Sequence, residues 1–488
     1  MKIAMLNPPF LPKYSRFSRS PGVAKSGTIY YPLWHAYATG LLEQMGHEVK
    51  LIDAPAEGLS TEACLDIMQK FEPGIILIYT STPSIYNDIQ VGSKAKALLP
   101  QSYIVLAGPH VSALPEETLQ IDDSIDAIAR REYDETLVEL ASVLPDKGAL
   151  ENVKGITYRD GKEIISTPNR DFIENLDSLP FVSSVYKKHL KIENYFYAHC
   201  MYPVISIFTS RGCYGKCNYC VYPEQVFGRK QRQRSPENIV AEFEYIRDEF
   251  PQVKEVLIDD DTFTFRQGHT IRFCELMIER GIKIPWTVEC RADLKYETMV
   301  MMKKAGCRLI VVGFESANNE ILKNVHKGLT VEKMRRFVAD AKKAKVMIHS
   351  CFMAGNQGET KETLMQSLKF AKEVFADTCQ FFPLMVYPGT GAYDWAEKNG
   401  YLTTSDYTQW LTPEGLHNSI VSTPALSSKD LVDFCDYARR CYYLSPKYLL
   451  YKAAYLIKSP REIKKTFKSA RTFAKHLLRN SSKSLMVM

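Results

Sequence analysis

The chain has 488 residues, a net charge of +6, 45% apolar and 24% charged residues, which predicts more than one domain and excludes a disordered chain. No window holds the roughly 18 uninterrupted apolar residues of a membrane-spanning helix, and no apolar signal region follows Met1. Twelve cysteines are scattered apart from one triplet, which predicts thiols in a reducing cytoplasm rather than a disulfide framework.

Residues 1–145 alternate short apolar strands with helical stretches, which predicts a doubly wound parallel sheet. Such sheets bind ligands beyond the carboxyl ends of their strands, and three of those ends carry small, polar or backbone-fixing residues. No G-x-G-x-x-G follows the first strand, so a dinucleotide is not favoured. We predict a cofactor-binding domain, with these candidate contact residues: Asn7, Pro8, Pro9, Thr80, Ser81, Gly108, Pro109 and His110.

Residues 146–200 are the predicted connector to a second domain. Two alternating runs flank Asp160-Gly161, a pair typical of a tight hairpin turn. An aromatic run, Tyr195 to Tyr197, closes the connector and is expected to serve in packing, with a cover over the barrel mouth as the alternative. Nothing in this segment indicates chemistry.

One loop carries the strongest chemical signal. Cys213, Cys217 and Cys220 stand at C-x3-C-x2-C spacing after an apolar strand, in a glycine-bearing loop that can fold three thiolates around one inorganic centre. A closed zinc site and an ordinary four-iron cluster both take four protein ligands. Three thiolates on a four-iron cube leave one iron open for a substrate or cofactor. The alternative is a zinc site completed by His199 or Cys200.

Six strand–helix units are predicted between residues 201 and 400, which indicates a partial or full α/β barrel whose chemistry lies at the carboxyl ends of its strands. One predicted strand ends in Asp259, Asp260 and Asp261, for which a divalent-metal site is the alternative to a place beside the cluster. The other cysteines lack ligand-like spacing and are predicted to be small buried hydrophobes, with a hydrogen-atom donor as the alternative.

Residues 401–488 are predicted to be helical, with an aromatic-rich helix over 430–443. From Lys447 to Lys483 there are eleven Lys/Arg and one acid, a local balance of +10, so the rest of the chain is mildly acidic. Apolar residues among these lysines are typical of a basic amphipathic helix on an anionic membrane surface. The alternative is a solvated helix packed on the barrel. Nucleic acid is not expected, because no RNA-binding motif accompanies the charge.

The cysteine loop, with Tyr219 before its third cysteine, resembles the cluster-binding loop of the radical S-adenosylmethionine (SAM) enzymes. In that family the open iron of a [4Fe-4S] cluster chelates SAM. Gly313-Phe314-Glu315-Ser316 resembles the segment that receives the SAM amino group, and Gly355 begins a turn similar to one near the adenosine. The SAM contacts that the resemblance implies are Tyr219, Arg291, Gly313, Glu315, Ser316 and Gly355.

The N-terminal sheet resembles the cobalamin-binding domain that precedes the barrel in one class of these enzymes. The resemblance rests on Asn7-Pro8-Pro9, on Gly108-Pro109-His110-x-Ser and on Pro115. The D-x-H-x-x-G motif that supplies a histidine to cobalt is absent, which implies cobalamin without a protein imidazole, and His110 is expected to hydrogen-bond locally instead. Residues 130–135 keep the acids of a turn resembling G-E-G-E but not its glycines.

The resemblance implies an α/β protein in four parts. These are a Rossmann-like cobalamin domain over 1–145, a hairpin linker over 146–200, a partial (β/α)6 radical SAM barrel over 201–400 and a helical C-terminal region over 401–488. The implied cofactors are a [4Fe-4S] cluster, SAM and cobalamin. The implied reaction is hydrogen abstraction from an unactivated carbon followed by C-methyl transfer. The alternatives are cyclisation or rearrangement with the same cofactors, and a non-catalytic cobalamin and iron–sulfur sensor.

The expected partners are a small-molecule or lipid-like substrate and an electron donor of the flavodoxin or ferredoxin type. The segments Tyr30-Tyr31-Pro32-Leu33-Trp34 and Asp53-Ala54-Pro55 resemble members that act in hopanoid-type or glycolipid pathways. With the basic tail, this favours a membrane-derived substrate. We expect a cytoplasmic protein with a peripheral membrane contact through residues 447–483. No residue is predicted to be catalytic by itself, because the cofactors carry the chemistry.

Overall fold

The computed structural model describes residues 1–146 and 149–458, and residues 463 and 466 individually. Within that part of the chain there are a seven-stranded sheet, a six-stranded sheet and a short two-stranded sheet. None of the helices described is both long and apolar enough to traverse a bilayer. Most of the predicted basic tail, at 459–462, 464–465 and 467–483, lies outside the described residues.

Seven strands form the N-terminal sheet: β1 (Lys2–Asn7), β2 (Glu48–Asp53), β3 (Ile75–Tyr79), β4 (Tyr103–Ala107), β5 (Ala127–Ala129), β6 (Ile156–Asp160) and β7 (Glu163–Ser166). Their order is β2-β1-β3-β4-β5-β6-β7; β1 to β5 are parallel, and β6 and β7 are antiparallel. The helices are α1 (Leu33–Gln44), α2 (Ala54–Glu57), α3 (Thr61–Phe71), α4 (Ile85–Leu98), α5 (Pro109–Ala113), α6 (Pro115–Ile121) and α7 (Asp134–Val143). The predicted doubly wound parallel sheet is confirmed.

The central strands of this sheet are buried on both faces. In β1, Ile3 and Met5 belong to one core cluster, whereas Ala4 and Leu6 belong to another. A strand covered on both faces needs apolar residues at every position, which explains the continuous apolar runs in the sequence. The predicted hairpin forms β6 and β7, with Gly161 at φ +58° in its turn, and β6 pairs with β5. The hairpin therefore extends the N-terminal sheet.

The second half of the chain forms an open parallel barrel. Its strands are β8 (Val204–Ile207), β9 (Ser210–Arg211), β10 (Arg232–Gln233), β11 (Glu255–Ile258), β12 (Trp286–Cys290), β13 (Cys307–Glu315), β14 (Met347–Ala354) and β15 (Thr378–Pro383). Six of them run parallel in the order β15-β14-β13-β12-β11-β8, and β9 pairs with β10 in a separate ribbon. Because β15 and β8 are the two edges of this sheet, the barrel is partial, as predicted.

The helices of this half begin with α8 before the barrel and end with two helices after it. They are α8 (Val182–His189), α9 (Pro236–Glu249), α10 (Gln267–Glu279), α11 (Tyr296–Lys304), α12 (Asn319–Asn324), α13 (Val331–Lys343), α14 (Lys361–Val374), α15 (Gly391–Lys398), α16 (Ser428–Tyr443) and α17 (Pro446–Lys458). The predicted aromatic helix at 430–443 corresponds to α16, which packs on β15; there the Tyr443 hydroxyl donates to the Cys379 carbonyl at 2.7 Å.

One core joins the two halves. Trp34 of α1 packs on Phe208, with ring centroids 4.2 Å apart, and the Tyr31 hydroxyl donates to the Val204 carbonyl at 2.8 Å. Between β1 and α1 the chain leaves the N-terminal sheet and crosses to the barrel; residues 10–31 are called the strap below. The carboxyl ends of both sheets meet beside the strap, and the candidate site lies there.

Candidate active site

The cysteine loop follows β8 at the carboxyl end of the barrel strands. The Asp260 carboxylate fixes its start: it accepts hydrogen bonds from the backbone N–H groups of Thr209 and Ser210 at 2.7 and 3.1 Å, and from their hydroxyls at 2.6 and 2.7 Å. Burial raises the pKa of Asp260 to about 6, although these hydrogen bonds oppose it. Gly212, at φ +85°, then turns the chain where a Cβ would lie 3.0 Å from the Gly228 carbonyl.

The three thiols of the loop lie close enough to influence one another electrostatically. Burial raises the pKa of Cys213 and of Cys220, and the charge of Cys217 adds to the rise in both. The Gly215 N–H donates to Cys213 Sγ at 3.4 Å, and Arg291 Nη1 lies 3.9 Å from Cys217 Sγ. Neighbouring thiols with a backbone N–H and a guanidinium directed at their sulfurs fit a thiolate-bound iron–sulfur cluster.

The zinc alternative is not supported by the positions of its proposed fourth ligands. His199 and Cys200 precede β8, whereas the triplet follows it, so a strand roughly 13 Å long separates them at about 3.3 Å per residue. The His199 carbonyl instead accepts a hydrogen bond from Arg308, near the start of β13. Within residues 1–146 and 149–458, no three His, Cys, Asp or Glu side chains converge as ligands of a single metal ion.

Glu315 ends β13 in an irregular conformation. The register of β13 against β14 shifts between Gly313 and Glu315, and the φ of Glu315 is +65°, which is strained for a residue other than glycine. Lys327 Nζ lies 2.7 Å from Glu315 Oε1 and 3.1 Å from the Tyr219 hydroxyl. Burial lowers the pKa of Lys327, but the charges of Glu315 and Cys217 and the hydrogen bond to Glu315 together outweigh burial, so the net pKa is raised. An ammonium and a carboxylate thus lie side by side next to the cysteine loop.

Arg291 follows β12 and joins this pair to the cysteines. Its Nη2 donates to the Lys327 carbonyl while its Nη1 reaches Cys217. Its guanidinium also lies over the Tyr214 ring, 5.5 Å from the centroid. Four predicted SAM contacts therefore surround Lys327: Tyr219, Arg291, Gly313 and Glu315.

The other two predicted SAM contacts lie around a buried carboxyl, Glu359. The backbone N–H groups of Gly355 and Asn356 donate to Glu359 Oε2 at 2.7 and 2.9 Å, and Ser316 lies beside the same carboxyl. Gly355 has a φ of +105°, and Leu431 of α16 lies 2.7 Å from where its Cβ would be, so a larger residue would not fit. The turn at Gly355 is thus fixed from both sides.

The predicted cobalamin contacts border a crevice of the N-terminal sheet. The strand order reverses between β1 and β3, and doubly wound sheets bind ligands at such a switch point. The end of β1 carries Asn7-Pro8-Pro9, and Thr80-Ser81 follows β3. Gly108, at φ +132° after β4, would place a Cβ 2.5 Å from the Thr80 carbonyl. Only glycine allows these strand ends to approach, and small residues there fit a large planar cofactor.

The strap occupies part of this crevice. Arg16 is completely buried and pairs with Asp88 at 2.6 Å, and its Nη1 donates to Asn7 Oδ1 at 3.2 Å and to the Pro8 carbonyl. The Ser81 hydroxyl lies 2.8 Å from a strap hydroxyl, that of Tyr14. Three of the eight predicted contacts are therefore engaged by the strap, and their roles toward cobalamin stay predictions: Asn7, Pro8 and Ser81.

His110 is also engaged locally. Its Nδ1 lies 3.2 Å from the Thr82 hydroxyl, and its ring meets the edge of Tyr407 with centroids 4.8 Å apart. Burial lowers the pKa of His110 to about 3, so the imidazole is neutral. This is the local hydrogen-bonding role expected for His110 from the missing D-x-H-x-x-G motif.

The crevice and the barrel mouth face each other. Helix α5, which begins at Pro109, packs against residues 223–227, which follow the cysteine loop. Its Ala113 lies 3.0 Å from where a Gly389 Cβ would be, in the loop after β15. The Ser20 hydroxyl of the strap lies 3.2 Å from that of Tyr387 in the same loop. The carboxyl ends of the two sheets therefore enclose one site from opposite sides.

Arg19 of the strap enters the barrel mouth. Its guanidinium pairs with Asp259 at 2.7 Å, with Asp261 at 3.4 Å and with Glu289 at 2.9 Å. Burial raises the pKa of Glu289 to about 8; Arg19 opposes the rise and the neighbouring carboxylates add to it. A guanidinium thus occupies the position that the divalent-metal hypothesis assigned to an ion, while Asp260 is committed to the cysteine loop. The metal hypothesis is not supported.

A buried ion cluster connects the N-terminal sheet to the cysteine loop. Arg211, two residues before Cys213, pairs with Glu132 at 2.5 Å and with Asp134 at 2.8 Å, and Arg232 holds the second Glu132 oxygen at 2.8 Å. None of the four charged side chains is more than 6% exposed. Both acids belong to the turn at 130–135. This turn resembles a G-E-G-E turn in its acids but lacks the glycines.

Comparisons with known proteins identify the family that combines these two halves. The model of the radical SAM superfamily matches residues 207–371, and that of the B12-binding domain matches residues 19–141. An uncharacterised methyltransferase of Pyrococcus horikoshii is 30% identical over 425 residues, which cover 87% of this chain and 90% of that protein. The chain belongs to the cobalamin-dependent radical SAM family.

Two further similarities concern the reaction and the fold. An anaerobic magnesium-protoporphyrin IX monomethyl ester cyclase of Cereibacter sphaeroides is 28% identical, over 84% of this chain and 67% of the cyclase. TsrM of Kitasatospora setae, a radical SAM methyltransferase solved with tryptophan and a SAM analogue, shares the fold with a TM-score of 0.69 at 16% identity, over 90% of both chains. This cobalamin-dependent radical SAM protein is an enzyme whose cofactors are a [4Fe-4S] cluster, SAM and cobalamin.

Some residues of this radical SAM site were not found from the sequence. Lys327 stands in no motif, and its position beside Glu315 depends on how the chain returns after α12. Arg19 pairs with carboxylates about 240 positions away, which no local pattern shows. Glu289 could have been predicted as a site residue from the sequence. It lies two positions before Arg291 at the end of the same predicted strand, and residues two apart lie on the same face of a strand.

Glu359 leads to a prediction about pH. Burial raises its pKa from 4.5 to about 8, although the hydrogen bonds from Asn356 and Gly355 oppose the rise. Between about pH 4.5 and about pH 8 the unfolded carboxyl is ionised while the folded one is protonated, so stability falls as pH rises through this window. We expect Glu359→Gln, an isostere of the neutral acid, to remove this part of the pH dependence. Thermal unfolding across this window should show the variant gaining Tm relative to the unaltered enzyme as pH rises.

The matched control for this prediction is Glu362→Gln, which changes an exposed acid in the first turn of α14. The control should not gain Tm relative to the unaltered enzyme as pH rises. A Tm difference for Glu359→Gln that stays constant from pH 5 to pH 8 would show that Glu359 does not bind a proton on folding.

Proposed function

We propose that this enzyme transfers a methyl group to an unactivated carbon of a small, lipid-like molecule. The observation that supports this most is the apposition of the two carboxyl faces, with the β1/β3 crevice on one side and Cys213, Cys217 and Cys220 on the other. A substrate enclosed between them has one carbon within reach of both cofactor sites. When bound, the cluster supplies the electron that cleaves SAM and cobalamin supplies the methyl group.

In this proposal the chain's own residues bind the cluster and SAM, orient them and exclude water. The three cysteines hold the cluster, and Arg291 offsets the charge of their thiolates. Glu315 and Lys327 present one negative and one positive group beside the loop, which match the ammonium and carboxylate of the amino-acid end of SAM. The strap, fixed by Arg19 across the barrel mouth, excludes water from the reacting carbon.

Methyl transfer is favoured over its alternatives by the relatives. The relative at 30% identity, which this chain covers almost completely, is named a methyltransferase. Cyclisation is the second candidate function, because the relative at 28% identity is named a cyclase. Both reactions use the same cofactors, so the chain's cofactor-binding residues do not discriminate between them. A non-catalytic sensor has no support from either relative.

An isotope experiment separates the three functions. The enzyme, with reconstituted cluster and cobalamin, is incubated anaerobically with a reductant, SAM deuterated in its methyl group and a small-molecule and lipid extract. We expect 5′-deoxyadenosine, S-adenosylhomocysteine and a product carrying the intact deuterated methyl group, measured by mass spectrometry. The Cys217→Ala variant is the matched control and should give none of them. A product without the label indicates cyclisation or rearrangement, and the absence of both 5′-deoxyadenosine and methylcobalamin turnover indicates a sensor.

The partners and the compartment complete the proposal. All twelve cysteines are free thiols, which agrees with a reducing cytoplasm, where a flavodoxin- or ferredoxin-type protein supplies the electron. A substrate derived from membrane lipid agrees with the excess of Lys and Arg in residues 447–483, which would bring the enzyme to an anionic membrane surface.

A further inference from the structure

Helix α17 (Pro446–Lys458) carries an apolar stripe on its outer face. Leu449, Leu450 and Ile457 are 54%, 73% and 80% exposed, and Ala453 and Ala454 between them are exposed too. The positions are i, i+1, i+4, i+5 and i+8, so the five side chains form one continuous line along the helix. No polar residue interrupts the line.

The opposite face of α17 is fastened to the barrel, which fixes the stripe outward. Tyr448 is 7% exposed, the Tyr451 hydroxyl donates to Asp377, and the Tyr455 hydroxyl lies 3.7 Å from the Met347 sulfur. These tyrosines recur every three to four residues and so lie on one side of the helix. Rotation of α17 to bury the stripe would break all three contacts.

Exposed apolar side chains are concentrated in this part of the molecule. Fourteen large hydrophobic side chains are exposed among the described residues, and five of them lie between Leu444 and Ile463. Single exposed hydrophobic residues are common on protein surfaces, but a contiguous group of them marks an interaction site. The stripe is therefore expected to bind a partner surface.

The positive charge of this helix and of the sequence after it favours one binding partner for the stripe. Lys447 and Lys452 lie on α17 itself, and residues 447–483 together hold eleven Lys/Arg and one acid. An apolar helix face that carries lysines and is followed in the sequence by a strong positive excess matches a bilayer with anionic headgroups, which offers acyl chains to the stripe and negative charge to the lysines. A second copy of this chain would bring the same positive charges together and repel.

We propose that α17 is a docking surface that lies in the plane of an anionic membrane, with Leu449, Leu450 and Ile457 inserted among the lipids. The surface is distinct from the cofactor site, and the inference does not depend on which reaction the enzyme performs. In this arrangement the barrel is held at the surface from which a lipid-like substrate would be drawn.

The test is flotation of the full-length protein with vesicles, which measures binding without any activity. The vesicles are of phosphatidylcholine alone or of phosphatidylcholine with phosphatidylglycerol. We expect binding only to the anionic vesicles, and weaker binding when salt rises from about 0.1 M to about 1 M, because the Debye length falls from about 10 Å to about 3 Å. The Leu450→Asp/Ile457→Asp variant should lose at least about tenfold in bound fraction.

Two controls separate the loss of apolar contact from the added negative charge. Ile278→Asp/Met365→Asp makes the same change in charge at exposed apolar positions on α10 and α14, and it should bind as the unaltered protein does. Leu450→Ser/Ile457→Ser removes the apolar groups without adding charge, and it should still lose most of the binding. These side chains are at the surface, so thermal unfolding should confirm that each variant folds.

Three outcomes would overturn the proposal. The first is a full-length protein that does not float with anionic vesicles. The second is equal binding by the Leu450→Asp/Ile457→Asp variant, which would attribute binding to charge elsewhere on the chain. The third is a dimer in light scattering that this variant converts to a monomer, with no vesicle binding, because the stripe would then be an interface between two copies of the chain.

Discussion

Replacement of Cys217 by alanine is expected to abolish both cluster assembly and SAM cleavage. Cys217 is the middle thiol of the triplet, its sulfur is the one that Arg291 approaches, and it is 7% exposed. With two thiolates left, the cube loses a corner ligand and has no replacement, since His199 and Cys200 lie at the far end of β8. We expect iron and sulfide per chain to fall to background, with loss of the cluster's visible absorbance and of 5′-deoxyadenosine formation.

The control for that experiment is Cys441→Ala, which removes a partly buried thiol on α16, away from the triplet. It should keep full iron content and SAM cleavage. Retention of a complete cluster by Cys217→Ala would show that the triplet is not the ligand set. Comparable Tm values for the two variants before reconstitution would show that the difference arises from the cluster and not from the fold.

The fold was predictable because its signals are local. Apolar runs such as Ile75–Tyr79 result from burial on both sheet faces, and the turn at Asp160-Gly161 results from a glycine with positive φ. The cysteine triplet was recognisable for a similar reason, since its three thiols lie within eight residues. Spacing along the chain carries information about contacts when those contacts lie in one element or one loop.

The rest of the site was not predictable, because it is made of contacts between distant segments. Arg16 lies at the switch point of the N-terminal sheet, and Arg19 reaches the carboxylates of the barrel mouth, yet neither arginine stands in a motif. Lys327 pairs with Glu315 at the irregular end of β13, 12 positions earlier in the chain. A charged residue shows in its sequence neither that it is buried nor which partner it has, whereas an apolar run shows burial directly.

The acidic turn at 130–135 has one feature that was predictable from the sequence and one that was not. The sequence showed that its acids are present while the glycines of the resembling turn are absent, and this left its packing open. The structure assigns the acids a partner, Arg211, at the start of the cysteine loop. The acidic turn therefore contacts the start of the cysteine loop through charges that are all buried.

Arg211→Met is expected to destabilise the enzyme by about 3–5 kcal/mol, because removal of one partner leaves a buried charge uncompensated. Arg232 still neutralises Glu132, so Asp134 is the group left unpaired. The added Asp134→Asn change should therefore recover much of the stability, as urea unfolding of the single and double variants measures. Cluster content should fall with Arg211→Met, because the start of the cysteine loop loses its ion pairs with the acidic turn. Arg211→Lys should retain only part of the cluster content, since lysine cannot make the bidentate contact with Asp134.

A second arginine with a largely buried side chain serves as the control for Arg211. Its replacement distinguishes an effect on the position of the cysteine loop from a general loss of stability. Arg308 pairs with Glu255 at 3.0 Å at the amino-terminal end of the barrel, with both side chains 12% exposed or less, and it lies far from the cysteines. Arg308→Met should destabilise the fold to a similar extent while leaving iron content and the electron paramagnetic resonance signal of the reduced cluster unchanged. If both variants lose cluster in proportion to their loss of stability, Arg211 only supports the fold; a loss confined to Arg211→Met would show that the N-terminal domain positions the cluster loop through this ion cluster.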